Sequence, residues 1–591
     1  MAGLDGLRAV AVIAVILFHL DLPWLPGGFL GVDVFFVISG YLITSQVWAR
    51  SFHGRVDLRH FWQARARRLL PALAVTLAAT TIAELILDRD HLRSYLGDLA
   101  AAATYTSNWW YVLHQRSYFE ASGRPPAMQH LWSLAVEEQF YLLWPLIVAV
   151  VLASAATVAA RRRRLLAVAL LLAAASGLVM GLGTHASGAP MTADPSRYYF
   201  GTDSHASAVL IGSALAVWRG GRGFTRARPP LSPARAGMTF AGVAALAAVI
   251  WAYAALDSWS VPLYRFGFVA FAAVVALLVA AASRPGPLGR LLDAPPLAAV
   301  GKRSYGLYLW HWPVFVFTRP TLDVPLTGAA NLVLRLALLG VVSELCYRFV
   351  ETPTRRYGIR GAWRRLRDWQ VWRLPATGLV TGGLASLTVL TVAAAAFTPT
   401  TIAAPARLVL PSVTPSTPTA TGSATTPPLK IRPGATGTMT MAVYGDSVAL
   451  GATPRLRKIF ADVVLRAQIG EQSWTLLPEL LREAPTLPED VVLIHTGNNG
   501  IIDKSQLIAA IDAIPAAATV VLVTPRVPRP WMAPNVATVR AVAAARPRVH
   551  IADWASVSDG HPEYVNTDGV HMTTAGIKTY AALVQQAVLT P

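Results

Sequence analysis

Runs of about twenty apolar residues recur along the first two thirds of the chain and restrict its fold more than any other feature. A transmembrane helix needs about 20 mostly apolar residues to cross the hydrocarbon core of a bilayer. About eleven runs meet this requirement, near residues 9–25, 29–48, 69–88, 130–153, 165–183, 203–218, 237–255, 263–283, 304–318, 326–347 and 376–397. With 54% hydrophobic and 14% charged residues, the chain is more apolar than an ordinary soluble domain. We therefore predict a polytopic α-helical membrane domain of about 10 spans, followed by one linking span.

The lysine and arginine residues decide the orientation of these spans. Cytoplasmic loops carry the excess of positive charge in membrane proteins. The basic residues here stand in short blocks between apolar runs: Arg65/Arg67/Arg68, Arg161 to Arg164, Arg219 to Arg235, Lys302/Arg303 and Arg355 to Arg373. If all of them face inward, the protein is a multi-pass cell-membrane protein with a cytoplasmic N-terminus and an extracytoplasmic C-terminal domain. Because the net charge of +19 is explained by this topology and forms no single basic face, we expect no nucleic-acid partner.

Segment 95–113 is apolar but is interrupted by polar and aromatic residues, among them Tyr105 and Asn108. If it crossed the bilayer, the cluster Arg161 to Arg164 and every later basic cluster would lie outside. We therefore expect this segment to be re-entrant or interfacial, which is tolerated where the backbone is buried in protein or lines a cavity.

The composition changes after the last apolar run. The stretch that follows is rich in Thr, Pro, Ser and Ala, which is typical of an extended linker. Short β-branched runs then alternate with helical stretches, as in a parallel sheet covered by helices on both faces. The predicted organisation is a membrane domain at 1–355, a basic cytoplasmic loop at 356–375, a linking transmembrane helix at 376–397, a linker at 398–438 and an α/β domain at 439–591.

The expected strand ends of the α/β domain carry residues suited to nucleophilic catalysis. In parallel sheets the active site lies at the carboxyl ends of the strands, and Ser447 follows the first strand. A serine hydroxyl is a poor nucleophile unless a base removes its proton and a third group orients that base. His571 and Asp568, three residues apart before the last helix, can supply these two functions.

The oxyanion formed during acyl transfer also needs hydrogen-bond donors. The backbone N–H groups of Ser447 and Gly470 and the side-chain amide of Asn499 are the candidates, since Gly470 follows the second strand and Asn499 follows the third. The pattern leaves open whether Asn498 or Asn499 points into the site.

These blocks, GDSV, QIGEQ, TGNNG and DGVH, resemble those of the SGNH hydrolase family. The resemblance covers about residues 440–591 and implies a flavodoxin-like fold with a Ser, Gly, Asn and His site. Many members have an Asp where this chain has Gly500.

Ionisable residues also lie inside the predicted spans, where they are costly and therefore point to function. Arg8 and His19 lie in the first span, Asp33 opens the second, Glu137 lies in the fourth and His311 in the ninth. Each one alone is explained as readily by an interfacial or helix-pairing role. Together they indicate a polar cavity within the membrane domain.

The surrounding strings resemble the acyltransferase type 3 family over about residues 1–355: LDGLRAVAVIAVILFHL, GFLGVDVFFVISGYLIT, RRLLPAL, HLWSLAVEEQFYLLWP, RYYFGTDSHASAVLIG and SYGLYLWHWPV. Arg8 and His19 match the family's paired basic residue and histidine, and Glu137 matches its EEQFY block. Where the family often has TDTR, this chain reads TDSH, which puts any role transferred to His205 in doubt.

This resemblance implies an acyl-CoA donor in the cytoplasm, usually acetyl-CoA, and a glycan or lipid acceptor. His19 would act as a general base or a transient acyl carrier, and Tyr141 or Tyr199 would relay the acyl group. Positive-inside topology alone also accounts for most of the basic residues. The residues that we expect to attract the CoA phosphates are Arg8, Arg65, Arg67, Arg68, Lys302 and Arg303. No metal-ligand spacing is evident.

The fused arrangement resembles two-domain peptidoglycan O-acetyltransferases, which implies transfer of an acetyl group through Ser447 to a muramyl 6-hydroxyl. Two alternatives keep the same domains: acylation of another surface polysaccharide or a glycolipid, and an SGNH domain that acts as an esterase or deacetylase. A transporter or lipid-binding scaffold is the reading that fits least, because the set of nucleophile, base and oxyanion donors is complete.

Overall fold

The structure is a computed structural model. It describes residues 3–20, 22, 24–51, 56–87, 92–114, 116–118, 125–154, 156–190, 194–220, 233–284, 286–320, 323–367, 432, 434–468, 471–529, 531–566 and 569–590. The chain forms two compact units. The first contains Met1–Tyr118, Arg124–Ala186 and Pro195–Thr400, and the second contains Thr401–Pro591 with the short segments Phe119–Gly123 and Ser187–Asp194. The predicted linking helix at 376–397 and the predicted linker up to residue 431 lie outside the described residues.

The described part of the first unit is helical. Its helices are α1 Leu4–Phe18, α2 Gly31–Arg50, α3 Leu58–Leu87, α4 Leu92–Ala103, α5 Ser107–Leu113, α6 Leu131–Ala153, α7 Val158–Ser187, α8 Ser196–Phe200, α9 Thr202–His205, α10 Ser207–Trp218, α11 Pro233–Ala255, α12 Phe268–Ala282, α13 Pro287–Leu292, α14 Pro295–Lys302, α15 Ser304–Val316, α16 Gly328–Cys346 and α17 Thr352–Arg367. A short 3₁₀ helix, Gly28–Leu30, precedes α2, and π-helical turns at Leu263–Gly267 and Tyr347–Glu351 precede α12 and α17.

Seven helices in the described residues are long and apolar enough to cross a membrane. They are Gly28–Ala49, Leu58–Leu87, Leu131–Ala153, Val158–Ser187, Ala236–Ala255, Leu263–Ala282 and Gly328–Gly358. Three other predicted spans correspond to shorter helices, since α1 has 15 residues, α10 has 12 and α15 has 13. The predicted run at 9–25 extends beyond α1, which ends at Phe18. A multi-helical membrane unit is thus confirmed, and the count of about ten spans stays a prediction.

Segment 95–113 is broken in the structure into most of α4 and the whole of α5. Tyr105, between the two helices, has a positive φ of 55°. The side-chain amide of Gln139 on α6 donates to the carbonyl oxygen of Tyr105 at 3.0 Å and to the side-chain oxygen of Asn108 at 2.9 Å. The broken backbone therefore has polar partners inside the protein, as an interrupted segment within a membrane requires.

Two glycines bring α2 and α10 into close contact. A Cβ atom added at Gly40 would lie 1.8 Å from the carbonyl oxygen of Val209, and one added at Gly212 would lie 2.1 Å from that of Val37. Small residues of this kind let helix backbones approach within membranes, where close packing replaces the hydrophobic effect as the source of helix association.

The second unit contains a five-stranded sheet in the order β2-β1-β3-β4-β5, with every neighbouring pair parallel. The strands are β1 Thr440–Gly445, β2 Asp462–Ala467, β3 Val491–His495, β4 Thr519–Val523 and β5 Val549–Ala552. The helices are α18 Ser447–Leu456, α19 Ser473–Glu483, α20 Lys504–Ala513, α21 Met532–Ala544, α22 Trp554–Val557 and α23 Thr574–Leu589. Short 3₁₀ helices lie at Ala484–Thr486 and Pro562–Tyr564.

Both faces of this sheet are covered. Successive strand residues point to opposite faces, and all five residues of β3 are buried. On one face Val492 and Ile494 belong to the same apolar cluster as Leu480 of α19 and Ile511 of α20. Helices α18 and α23 pack against each other and against the outer strands. The predicted parallel α/β domain is therefore confirmed, and the pairing of Gly445 with His495 aligns the carboxyl ends of β1 and β3.

Candidate active site

Ser447 is the first residue of α18, directly after β1. Asp446 caps this helix: its carboxylate accepts a hydrogen bond from the backbone N–H of Val448 at 2.9 Å. Capping by an Asp is a common way to satisfy the free N–H groups at a helix start. Ser447 keeps 8% of its surface exposed. The turn therefore holds a nearly buried hydroxyl at the positive end of a helix, where developing negative charge is favoured.

His571 contacts Ser447 directly. Its Nε2 lies 2.8 Å from Ser447 Oγ, which is hydrogen-bond distance for a base that accepts the serine proton. The turn that carries His571 is closed by two backbone hydrogen bonds, from Gly569 N to Asn566 O at 2.9 Å and from Asn566 N to His571 O at 2.7 Å. Gly569 has a φ of 71°, a conformation that favours glycine. Asp568, predicted to orient His571, lies outside the described residues.

The two asparagines after β3 have different environments. The Asn498 amide donates to Asp446 Oδ2 at 2.8 Å, and its oxygen accepts from the backbone N–H of Arg526 at 3.0 Å. The Asn499 amide donates a long hydrogen bond of 3.3 Å to the carbonyl oxygen of Glu471. Asn498 is thus held by hydrogen bonds to the segments around it, and the role of Asn499 as an oxyanion donor stays a prediction. Gly470, the other predicted donor, lies outside the described residues.

Sequence reasoning missed His495, a fully buried residue at the end of β3. The Asn498 amide lies 3.3 Å from His495 Nε2 and can only donate, so Nε2 accepts. His495 Nδ1 then donates to the hydroxyl oxygen of Tyr580 at 3.0 Å. Burial lowers the pKa of His495 below its ordinary value, consistent with a neutral ring. Its position at the carboxyl end of a buried strand was the available signal.

The first unit contains a cavity that is partly open to its surroundings, and its space, with the open part included, is about 830 Å³. Within it, Glu137 accepts hydrogen bonds from Ser39 Oγ at 2.8 Å and from the Tyr141 hydroxyl at 3.0 Å. The cavity is lined by Arg8, Val32, Phe35, Phe36, Ser39, Leu42, Ile43, Arg65, Arg68, Leu69, Tyr105, Ser133, Leu134, Glu137, Glu138, Tyr141, Ser304, Tyr305 and Tyr308. This space brings Glu137 together with Arg8, Arg65 and Arg68, three of the predicted cationic residues. His19, Asp33 and His311, on which the expectation of a polar cavity also rested, do not line it.

The other three cationic residues lie elsewhere. Arg67 and Lys302 are exposed. Arg303 forms an ion pair with Glu344 and stacks its guanidinium 4.6 Å from the centroid of the Tyr347 ring. None of the three lines the cavity. Arg303 therefore has a structural explanation that the sequence pattern did not reveal.

His19 belongs to a cluster of buried aromatic groups instead of the cavity lining. Its Nδ1 lies 3.3 Å from His311 Nε2, and its Nε2 lies 3.2 Å from the Tyr118 hydroxyl. The ring of His130, which sequence reasoning also missed, lies 5.4 Å from that of His311. Within the part of the chain that the structure describes, no group of three His, Cys, Asp or Glu side chains is arranged to hold a metal ion.

Tyr308 connects this cluster to the cavity. Its carbonyl oxygen lies 2.6 Å from His311 Nδ1, and its hydroxyl donates to the carbonyl oxygen of His130 at 2.9 Å. The same side chain lines the cavity. Tyr308 therefore contacts both His130 and His311 and also lines the cationic cavity.

His205 occupies the position where the resembled family often has arginine. Its Nε2 lies 2.9 Å from Asp33 Oδ1, and both side chains are fully buried. Its Nδ1 lies 2.7 Å from the carbonyl oxygen of Tyr199. His205 therefore has a defined partner on α2 despite the substitution.

The chain is similar to characterised proteins over its whole length. Residues 1–346 match a family model described as an acyltransferase domain. The chain is 33% identical to "Peptidoglycan O-acetyltransferase OatA" of Listeria monocytogenes, over 98% of this chain and 97% of that protein. It is 30% identical to "O-acetyltransferase OatA" of Staphylococcus aureus, over 100% of this chain and 96% of that protein.

Solved structures resemble the C-terminal part. The catalytic domain of peptidoglycan O-acetyltransferase A from Streptococcus pneumoniae, solved with a methylsulfonyl adduct, is 28% identical and covers 26% of this chain and 92% of that chain, with a TM-score of 0.24. A lipase/acylhydrolase from Enterococcus faecalis is 20% identical and covers 26% of this chain and 95% of that chain, with a TM-score of 0.23. The family model and the full-length relatives show that the chain belongs to the acyltransferase family and is a multi-pass membrane O-acetyltransferase.

Proposed function

We propose that the protein takes an acetyl group from cytoplasmic acetyl-CoA, passes it through the membrane unit to Ser447, and transfers it to a hydroxyl group of peptidoglycan outside the cell membrane. The observation that carries this proposal is the distance of 2.8 Å between Ser447 Oγ and His571 Nε2. Relatives named as peptidoglycan O-acetyltransferases over the full chain support the acceptor.

The chemistry at Ser447 proceeds in two halves. His571 Nε2 takes the proton as Ser447 Oγ attacks the carbonyl carbon of the acetyl donor, and Asn499 donates to the oxyanion that forms. When this intermediate collapses, the donor's leaving group accepts the proton from His571 and an acetyl-serine ester remains. His571 then removes a proton from the acceptor hydroxyl, which attacks the ester, and Ser447 regains its proton as the acetylated glycan leaves.

The proposed binding of acetyl-CoA, the acetyl donor, is supported by the cationic cavity. Arg8, Arg65 and Arg68 surround the same space, and guanidinium groups form strong charge-assisted hydrogen bonds to phosphates such as those of CoA. Arg67, Lys302 and Arg303 do not line this space, so we assign them no direct contact with the donor. Glu137 is positioned by Ser39 and is a candidate proton acceptor within the cavity.

His19 is the proposed acyl carrier or general base of the membrane unit. It lies against His311, and Tyr308 lies between that cluster and the cavity lining. A histidine is suited to both roles because its ring nitrogen is a nucleophile and a base near neutral pH.

The proposal is tested by expressing the full chain in a cell that lacks its own peptidoglycan O-acetyltransferase, and by measuring ester-linked acetate on isolated peptidoglycan by mass spectrometry. The wild-type protein should restore acetylation, and Ser447→Ala should not. Ser556→Ala, a variant of an exposed serine that donates to Asp553, is the matched control. Acetylation by Ser447→Ala at the wild-type level would refute the relay, and acetate loss from already acetylated glycan would support the esterase alternative.

A further inference from the structure

Arg526, in the loop after β4, makes hydrogen bonds to two of the segments that form the active site. Its backbone N–H donates to the side-chain oxygen of Asn498 at 3.0 Å. Its guanidinium Nη1 donates to the carbonyl oxygen of Gly569 at 2.7 Å. Asn498 follows β3, and Gly569 lies in the turn that carries His571. Arg526 therefore joins two loops that are distant in the sequence.

These contacts continue to the nucleophile on one side. The Asn498 amide donates to Asp446 Oδ2 at 2.8 Å, and the other oxygen of Asp446 accepts from Val448 N at 2.9 Å. These two hydrogen bonds fix the backbone on both sides of Ser447. The position of Asn498 thus bears directly on where Ser447 Oγ points.

On the other side the contacts reach the base. Gly569 N donates to Asn566 O at 2.9 Å, and Asn566 N donates to His571 O at 2.7 Å. Pro528, two residues after Arg526, packs against Gly569, since a Cβ atom added there would lie 3.4 Å from the Pro528 ring. The loop after β4 therefore contacts the His571 turn through both a hydrogen bond and a proline ring.

We propose that Arg526 is a positioning residue that sets the distance between Ser447 Oγ and His571 Nε2 by holding the His571 turn against the Asn498 loop. An arginine suits this task because its guanidinium is planar, permanently charged and able to donate in a fixed direction. The inference rests on the proposed roles of Ser447 and His571.

The rate at which Ser447 reacts with methanesulfonyl fluoride tests the positioning role of Arg526 directly. In this reaction Ser447 Oγ attacks sulfur, the S–O bond forms, the S–F bond breaks, fluoride leaves and His571 takes the serine proton. The rate of adduct formation is followed by peptide mass spectrometry on the full chain in detergent. Arg526→Ala should slow labelling by about tenfold or more, because small misplacements of reacting groups are costly. Arg526→Lys, which keeps a donor without the planar fork, should react at an intermediate rate.

Two further readouts separate positioning from general destabilisation. Millimolar guanidinium should restore part of the rate in Arg526→Ala and have no effect on the wild-type rate. The substitution Asn498→Ala should lower the labelling rate by a smaller factor in the Arg526→Ala protein than in the wild-type protein. The reason is that both residues act through one chain of contacts. Arg529→Ala is the matched control, since Arg529 is an exposed arginine in the same loop.

The outcomes distinguish this inference from the proposed function. Failure of the wild-type protein to form an adduct at Ser447 would show that Ser447 is not the nucleophile and would overturn the proposed function. Normal labelling of the wild type with an unchanged rate in Arg526→Ala would overturn only the role of Arg526. Multiplicative effects in the double variant, or equal slowing by Arg529→Ala, would also overturn it.

Discussion

The imidazole of His205 lies 2.9 Å from the carboxylate of Asp33, and both side chains are fully buried in the first unit. Asp33 lies in the first turn of α2, and His205 ends α9 immediately before α10. Since α2 and α10 approach closely at Gly40 and Gly212, this pair ties α9 to α2 next to a close helix contact.

Removing one partner should therefore be expensive. His205→Ala leaves the Asp33 carboxylate buried without that partner, and we expect the unit to lose about 3 kcal/mol of stability. His205→Arg supplies a partner of the kind often found in the resembled family and should retain more of the wild-type stability than His205→Ala. Thermal unfolding in detergent measures the difference. His185→Ala, at an exposed histidine of α7, should behave like the wild type, and equal unfolding temperatures for all three variants would contradict the expectation.

His571 should be essential for acetyl transfer. His571→Ala removes the base 2.8 Å from Ser447 Oγ, and we expect the transfer rate to fall by about 10³-fold or more. The measurement is acetate incorporated into peptidoglycan per minute by the full chain. His561→Ala is the control, because His561 is exposed and pairs with Glu563 instead. Retained activity in His571→Ala would show that another group accepts the serine proton.

The two asparagines should affect different quantities. Asn499→Ala should lower kcat by about 10²-fold with little change in KM, as expected for a lost oxyanion donor. Asn498→Ala removes the partner of Asp446 and of Arg526 N, so it should lower stability by about 1–3 kcal/mol. Steady-state kinetics and thermal unfolding of both variants decide between the roles. The reverse pattern would assign the oxyanion to Asn498.

His495 should make the second unit less stable in mild acid. Burial lowers the pKa of His495 in the folded state, so below about pH 6.5 the unfolded chain binds a proton that the folded chain excludes. Stability is then lost as the pH falls below about 6.5 towards the lowered pKa of the folded state. His495→Gln should flatten this part of the pH profile of the unfolding temperature. The exposed variant His561→Gln should leave the slope unchanged; if His495→Gln does so too, protonation of His495 is not responsible.

Two neighbouring arginines should differ in their effect on the donor. Arg65 lines the cavity, whereas Arg67 is exposed. Loss of one charge-assisted contact to a CoA phosphate should raise KM for acetyl-CoA about tenfold in Arg65→Ala. Arg67→Ala should leave the KM for acetyl-CoA within about twofold of the wild-type value. Release of the CoA thiol, followed colorimetrically, gives both values. A higher KM in Arg67→Ala than in Arg65→Ala would place the donor elsewhere.

Much of the fold follows from local patterns. Apolar runs predicted long helices such as α6, and β-branched runs predicted strands such as β3, because each element is specified by the periodicity of its own residues. The position of Ser447 was also predictable, since GDS follows a strand at the edge where parallel sheets place their sites. His130 begins one of the resembling strings and His495 precedes the TGNNG block, yet neither was assigned a role, because their partners come from the distant segments of Tyr308 and Tyr580.

The kinds of element, their order and the chemical groups available to the site follow from the amino-acid sequence. Helical spacing even places Arg65 and Arg68 on one face of α3 and turns Arg67 away from it. Long-range packing is what brings this face to the cavity, His19 to His311 across 292 positions, and Ser447 to His571 across 124. The physical reason is that periodicity specifies which side chains share a face, whereas the packing of other elements against that face decides what they contact.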